Sequence, residues 1–323
     1  MTKILHWSRR LWRGLYWWRE DRAARSAFRG VQHAVYFGGN GIGDELLCSA
    51  PLHELRRRGG TGLCALTNRP EFFLHSPDVD FVKAIDHSQV AFISRIGVRA
   101  SSTSYIHEQR PPDIDLPPPR HIIAEMCRRC GITGVIELRP WLWLTEAERT
   151  AASRFAGCVV VQSSRRSASL TIGNKEWLPE RFQAVVDALV PRHRVVQLGL
   201  PDDPPLRGAE DLRGRTSIRE SAAVLANASA FVGLVGFMMH LARAAECPAV
   251  IVYGGREHPS QSGYVCNENL FTTLPCSPCW RWNSCDFEHR CMTAIESVDV
   301  SRALHRLLDR QLAPLAVERV ALS

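Results

Sequence analysis

"HAVYFGGNGIGDELLCSAPLHELRRRGGTGLCALTN" (residues 33–68) is the stretch on which the fold turns. Residues 33–39 form a short apolar strand pattern that runs into paired glycines. Across 42–60, Leu46, Leu47, Ala50 and Leu55 recur at helical spacing, and a Gly pair stops the run. Residues 61–68 then read as a second strand. Strand, helix, strand in close succession predicts a parallel sheet with crossover helices.

The same rhythm restarts at "CVVVQSS" (158–164), whose valine run marks a buried strand. It continues as helix 178–190, strand 193–200, helix 218–228, strand 230–235, helix 238–246 and strand 248–255. Between the two series lie an irregular stretch (69–120) ending in "RPPDIDLPPPR" and a helix (121–132) stopped at Gly131. "LRPWLWLTEAERTAASRFAG" (138–157) serves as the connection. A cysteine-rich loop (276–291) and a closing helix (298–313) complete the chain, with no internal repeat and no low-complexity tract. The expected architecture is α/β: two Rossmann-like domains facing across a cleft, with ligands at the carboxyl ends of the strands. The expected boundaries are a basic helix (1–30), a first domain (31–150), a second domain (151–305) and a C-terminal helix and tail (306–323).

The chain has 323 residues, 45% of them hydrophobic and 23% charged, the balance of a soluble globular protein. No run approaches the roughly 20 apolar residues that span a bilayer, and the N-terminus lacks the apolar core of a signal peptide. The expected location is therefore the cytoplasm. The net charge of +7 is concentrated at the start, where Arg9, Arg10, Arg13, Arg19 and Arg22 lie among Trp7, Trp12, Trp17 and Trp18. That mixture suits the anionic inner face of the cytoplasmic membrane, or a helix packed on the protein with its charges solvated. Nucleic acid is not expected as a partner, because no binding module follows.

Four places carry chemistry. Asp44 stands close to a helix start, as a cap or as a carboxylate offered to a ligand, and the helix dipole is expected to lower its pKa. The stretch 163–182, with Arg165, Arg166 and Lys175 before a helix, is an anion site or a solvated basic loop. His240 follows a third strand-to-helix turn, as a packed residue or as part of a site. Cys276, Cys279, Cys285 and Cys291 are spaced C-x2-C-x5-C-x5-C. Four thiolates so spaced suit tetrahedral zinc or iron, with His289 able to replace one; two disulfides or four free thiols are the alternatives. Cys127 and Cys130 share one helix face and read as packing.

Taken in order, "GNGIGDELLCSAPLHELRRR", "GNKEWLPERFQAVVDAL", "DLRGRTSIRESAAVLANASAFVG", "MHLARAAECPAVIVYG" and "CSPCWRWNSCDFEHRCM" resemble glycosyltransferase family 9, the ADP-heptose:lipopolysaccharide heptosyltransferases. The resemblance spans roughly residues 33–305. It implies a GT-B fold, with the acceptor on the first domain and the nucleotide sugar on the second. It also implies metal-independent transfer with inversion, from a nucleotide-diphosphate sugar such as ADP-heptose to a saccharide or glycolipid. By that resemblance Asp44 is the general base and Lys175 a diphosphate ligand. Gly43, Ser163, Arg165, Glu220, Gly236, Phe237 and His240 complete the donor side, and Asn40 and Gly41 the acceptor side. No cofactor is implied for catalysis.

The chain departs from the family at its third turn, which usually reads G-N-D-S-G-P-M-H. Here Val235, Gly236 and Phe237 replace the Asp, Ser and second Gly. A binding protein or partner subunit without turnover is the alternative this departure raises. Four-cysteine loops occur in relatives that glycosylate proteins and carry an iron-bound finger, which adds a protein to the candidate acceptors.

Overall fold

Two parallel sheets organise the chain in a computed structural model that describes residues 22–39, 41–85, 90, 92–105, 109–110, 113–163, 172–310 and 315–323. The first contains β1 (His33–Tyr36), β2 (Leu63–Leu66), β3 (Phe81–Lys83) and β4 (Arg99–Ser102) in the order β3-β2-β1-β4. Every neighbouring pair is parallel, and the order reverses beside β1. Two short antiparallel ribbons follow from the first half: β5 (Gln109–Arg110) pairs with β6 (Ile114–Asp115), and β7 (Gly134–Glu137) awaits a strand from the end of the chain.

The second sheet contains β8 (Val159–Val161), β9 (Val195–Gln197), β10 (Glu210–Asp211), β11 (Ala230–Leu234), β12 (Ala249–Gly254) and β13 (Glu268–Phe271). Its order is β10-β9-β8-β11-β12-β13, again parallel throughout. The chain end returns as β14 (Arg319–Leu322), antiparallel to β7. The expected C-terminal tail therefore ends as a strand on the first half.

The helices in chain order are α1 (Ile42–Leu47), α2 (Ser49–Arg57), α3 (Ile122–Arg129), α4 (Glu146–Ala151) and α5 (Pro179–Leu189). They continue as α6 (Ile218–Asn227), α7 (Phe237–Ala244), α8 (Pro259–Ser262), α9 (Arg290–Thr293) and α10 (Ser297–Asp309). The single helix expected over 42–60 is broken in two at Cys48. Pro51 explains the break, since it has no N–H to bond the carbonyl of Leu47 four residues back.

Strand alternation separates the two faces of the second sheet. Val159, Val161, Val232 and Val250 pack with Phe182 and Val186 of α5 and Leu304 of α10. Val160, Phe231 and Ile251 face the other way, into a larger apolar cluster. A sheet covered on both sides buries both faces of its inner strands, which is why β8 is an unbroken valine run. Cys127 and Cys130 lie wholly inside the larger cluster, as their helical spacing suggested.

That cluster also contains Leu46 and Leu47 of α1 and Met238 and Met239 of α7, so the apolar interior crosses from one half to the other. The connection is reinforced by Arg219 of α6. Its guanidinium donates to both carboxylate oxygens of Glu148 (2.6 and 2.7 Å) and to the carbonyls of Glu71 and Trp143. Among the described residues no helix is long and apolar enough to cross a membrane. The Arg/Trp-rich helix expected at 1–30 lies, up to residue 21, outside the described residues.

Candidate active site

α1 begins at Gly41, its N-cap, and Asp44 is its third residue. The side chain makes no helix cap; instead Oδ1 accepts the Tyr105 hydroxyl at 2.8 Å. Gly41 leaves room for the other oxygen, because a Cβ there would lie 2.0 Å from Asp44 Oδ2. The capping alternative is thus excluded, and Gly41 owes its place to clearance for the carboxylate.

Burial raises the Asp44 carboxyl to about 6, with the Tyr105 hydrogen bond and the charge of Lys175 opposing and Glu257 and Asp115 adding to the rise. The expected lowering by the helix dipole is overturned: loss of hydration in the cleft outweighs one helix end. Burial and then the charge of Asp44 push the Tyr105 phenol well above its usual value, so it stays protonated and donates.

Lys175 ends a 3-10 turn, Gly173–Lys175, on the second half. Its ammonium meets Glu257 Oε1 at 2.5 Å. The same oxygen accepts from Arg256 (2.5 Å), whose other terminal nitrogen reaches Asp115 of the first half at 2.6 Å. Ser262 donates to the remaining oxygen of Glu257 at 3.1 Å. Burial acts to raise the Glu257 carboxyl, but Lys175 and Arg256 more than offset it and hold it at about 2. Asp44 and Lys175, expected from the sequence, are therefore brought to one cleft. Tyr105, Asp115, Arg256 and Glu257 were not expected. "GGREH" after the β12 strand pattern carried a usable signal, since loops at strand carboxyl ends hold ligands in such sheets.

The third turn also reaches this cleft. Gly236 caps α7 with φ 154° and ψ −158°, a conformation that is glycine's almost alone. The usual serine is absent where the backbone itself calls for glycine. Phe237 packs its ring on Phe72 of the first half (centroids 6.0 Å apart). Gly43 lies against this turn: a Cβ on it would sit 3.4 Å from the His240 ring and 3.5 Å from Phe237 Cα. His240 is buried with Nδ1 2.6 Å from the Tyr264 hydroxyl, and burial lowers its pKa to about 3. At neutral pH it is an uncharged imidazole.

Two expected donor-side residues are placed otherwise. Ser163 is fully buried, donating to the Pro204 carbonyl (2.5 Å) and accepting from Gln197 (2.8 Å), so its hydroxyl is taken by the protein. Glu220 completes a capping box with Ser217 at the start of α6 and faces a separate cavity beside Arg215 and Ala151. Asn40 and Arg165 lie outside the described residues, as does Arg166.

Cys276, Cys279, Cys285 and Cys291 line one cavity of about 360 Å³ together with Asn174, Arg256 and Arg281. All eleven cysteines are free, which removes the disulfide alternative. Among the described residues no group of three or more His, Cys, Asp or Glu side chains is arranged to hold a metal ion. The four sulfurs share a wall without forming a coordination set.

Asp44, with its raised carboxyl, Lys175 and the start of α7 thus lie together where the two halves meet. Comparison with known proteins places the fold and the family resemblance. Residues 142–288 match the family model described as glycosyltransferase family 9 (heptosyltransferase). The sequence resemblance to family 9 therefore holds. In fold, the chain is similar to a family 9 glycosyltransferase of Veillonella parvula (TM-score 0.65, 14% identity, 86% of this chain and 97% of that one). It is equally similar to the E. coli ADP-heptose LPS heptosyltransferase II (0.65, 13%, 88% and 100%). The iron-containing dodecameric glycosyltransferase TibC of enterotoxigenic E. coli also matches (0.62, 17%, 88% and 77%). The GT-B architecture expected from the sequence is the one observed. No curated protein sequence matches the chain.

Proposed function

We propose that the protein is an inverting glycosyltransferase that moves a heptose from ADP-heptose to a hydroxyl of a lipopolysaccharide-type saccharide or a protein. The observation that carries this reading is Asp44, raised to about 6 and lying within electrostatic reach of Lys175. A base must be ionised at working pH yet basic enough to take a proton, and a carboxyl near 6 meets both needs. Asp44 Oδ2 takes the proton of the acceptor hydroxyl while Tyr105 holds Oδ1. The acceptor oxygen attacks the anomeric carbon, and the bond to the diphosphate breaks on the opposite face. Charge growing on the departing diphosphate is met by Lys175 and by the backbone N–H groups at the start of α7, so the reaction calls on no metal. In this reading residues 31–150 present the acceptor and 151–305 hold the donor. Residues 1–30 touch the anionic inner membrane surface, where a lipid-linked acceptor would be met.

The test is a donor screen: ADP-heptose and other nucleotide-diphosphate sugars are offered with a truncated core oligosaccharide or a protein acceptor, and nucleoside-diphosphate release is measured. Acceptor-dependent release from ADP-heptose is the expected result. Tight donor binding with no release would instead favour a binding protein, the reading raised by the altered turn at 235–237.

The four-cysteine loop is proposed as a structural zinc or iron site, on its spacing and its shared cavity; Cys276, Cys279, Cys285 and Cys291 would hold the ion through thiolate sulfur and pin the loop. Elemental analysis of the purified protein is expected to find about one ion per chain, the stoichiometry of a single S₄ site. Four titratable thiols with no metal would remove this part of the proposal.

A further inference from the structure

Residues 282–284 of the cysteine-rich loop are bonded on both sides, to the first half and to the turn that carries Lys175. Trp282 donates its N–H to the Asp113 carbonyl (2.8 Å) and accepts from the Asn174 N–H (3.0 Å). Asn283 donates its N–H to Asp113 Oδ1 (2.9 Å), and its own side-chain oxygen accepts from the Gly173 N–H (2.8 Å). Ser284 gives both its N–H (2.7 Å) and its hydroxyl to Asp113 Oδ2, and its carbonyl accepts from Asn174 Nδ2 (3.0 Å). Three consecutive residues thus each join one aspartate to one turn. The flanks repeat the pattern, since the Asp115 N–H donates to the Trp280 carbonyl and Asn174 Nδ2 to the Arg281 carbonyl.

We propose that Asp113 is a positioning residue for the donor diphosphate, holding residues 282–284 so that they fix the Gly173–Lys175 turn. This rests on the assignment of Lys175 to the donor given above. Asp113 touches neither substrate nor reacting atoms. Its carboxylate gathers three donors from two adjacent residues, and the opposite edge of the same segment receives the amides of Gly173 and Asn174. A lysine is a flexible point charge, so its use to a diphosphate depends on the backbone that aims it. Because Asp113 belongs to the first half and Lys175 to the second, the donor cation is set correctly only while the two halves face each other.

The test is Asp113→Ala in the full-length protein, followed by amide hydrogen exchange and by calorimetric titration with ADP. Asp113 is partly exposed and lies in the turn before β6, outside both parallel sheets, so the variant is expected to fold. Exchange at Gly173 and Asn174 should quicken about tenfold or more, the scale of losing charge-assisted bonds that order a turn, while Val160 and Val250 in the sheet core keep their protection. ADP affinity should fall about tenfold, with donor KM rising and the acid limb of the rate profile, set by Asp44, staying put. Asn283→Ala, which removes only the acceptor for Gly173, should give a smaller change of the same kind. Unchanged exchange at 173–174 would overturn the proposal. Faster exchange with unchanged ADP affinity would also overturn it, since the turn would then not serve the diphosphate. If the unaltered protein bound no nucleoside diphosphate, the donor assignment would fail by itself, and with it the positioning role, whatever the exchange arm showed of the strap.

Discussion

Asp44→Asn is expected to lower kcat by about 10²- to 10⁴-fold, the usual worth of a positioned general base, with donor affinity close to that of the unaltered protein. The unaltered enzyme should gain activity as pH rises and reach half its plateau at about pH 6, where burial has placed the Asp44 carboxyl. That limb should be missing from the variant. The same substitution should stabilise the fold. A carboxyl raised from 3.8 to about 6 binds its proton more tightly folded than unfolded, so stability falls as pH climbs through that window and stays lower above it. Asn removes the penalty, worth at most about 3 kcal/mol at neutral pH. A higher thermal midpoint together with lost turnover is the expected pair of results. Full turnover in the variant would remove Asp44 from the mechanism.

Lys175→Ala should cost about 10²- to 10³-fold in kcat, the range found when one preorganised charge partner of a transition state is deleted. The fold should survive, because Glu257 keeps the Arg256 guanidinium and the Ser262 hydroxyl. Its acid tolerance should shrink. Glu257 is held at about 2 against an ordinary 4.5, so its contribution is complete above 4.5 and disappears as pH falls toward 2. With one of its two cations gone, acid unfolding should begin at higher pH, which a denaturation series followed by circular dichroism would detect. Wild-type kcat in this variant would place the diphosphate elsewhere.

The inner strands were legible because their signal is local. β1, β2, β8 and β12 are apolar runs, and parallel strands buried on both faces must be so. β10 is Glu210–Asp211 and β13 is the half-buried Glu268–Phe271, so neither edge strand offers a run to read. Asp44 and Lys175 stood out as single residues at strand-to-helix turns. Tyr105, Asp113 and Asp115 did not, because their roles come from partners 61 to 171 positions away and leave no local period. Ser163 and Glu220, by contrast, are engaged closer to home. Each found nearer partners within the protein, Pro204 and Gln197 for one, Ser217 for the other.

The apolar interior that passes from α1 to α7 bears on how the molecule comes apart. Phe72 lies on Phe237, and Gly43 lies flush against the start of α7. Losing either sheet would strip this seam and wet side chains each worth about 1.5–3 kcal/mol when buried. The two halves are therefore expected to melt together as one cooperative unit, so that a destabilising change deep in one sheet is felt at the far side of the cleft.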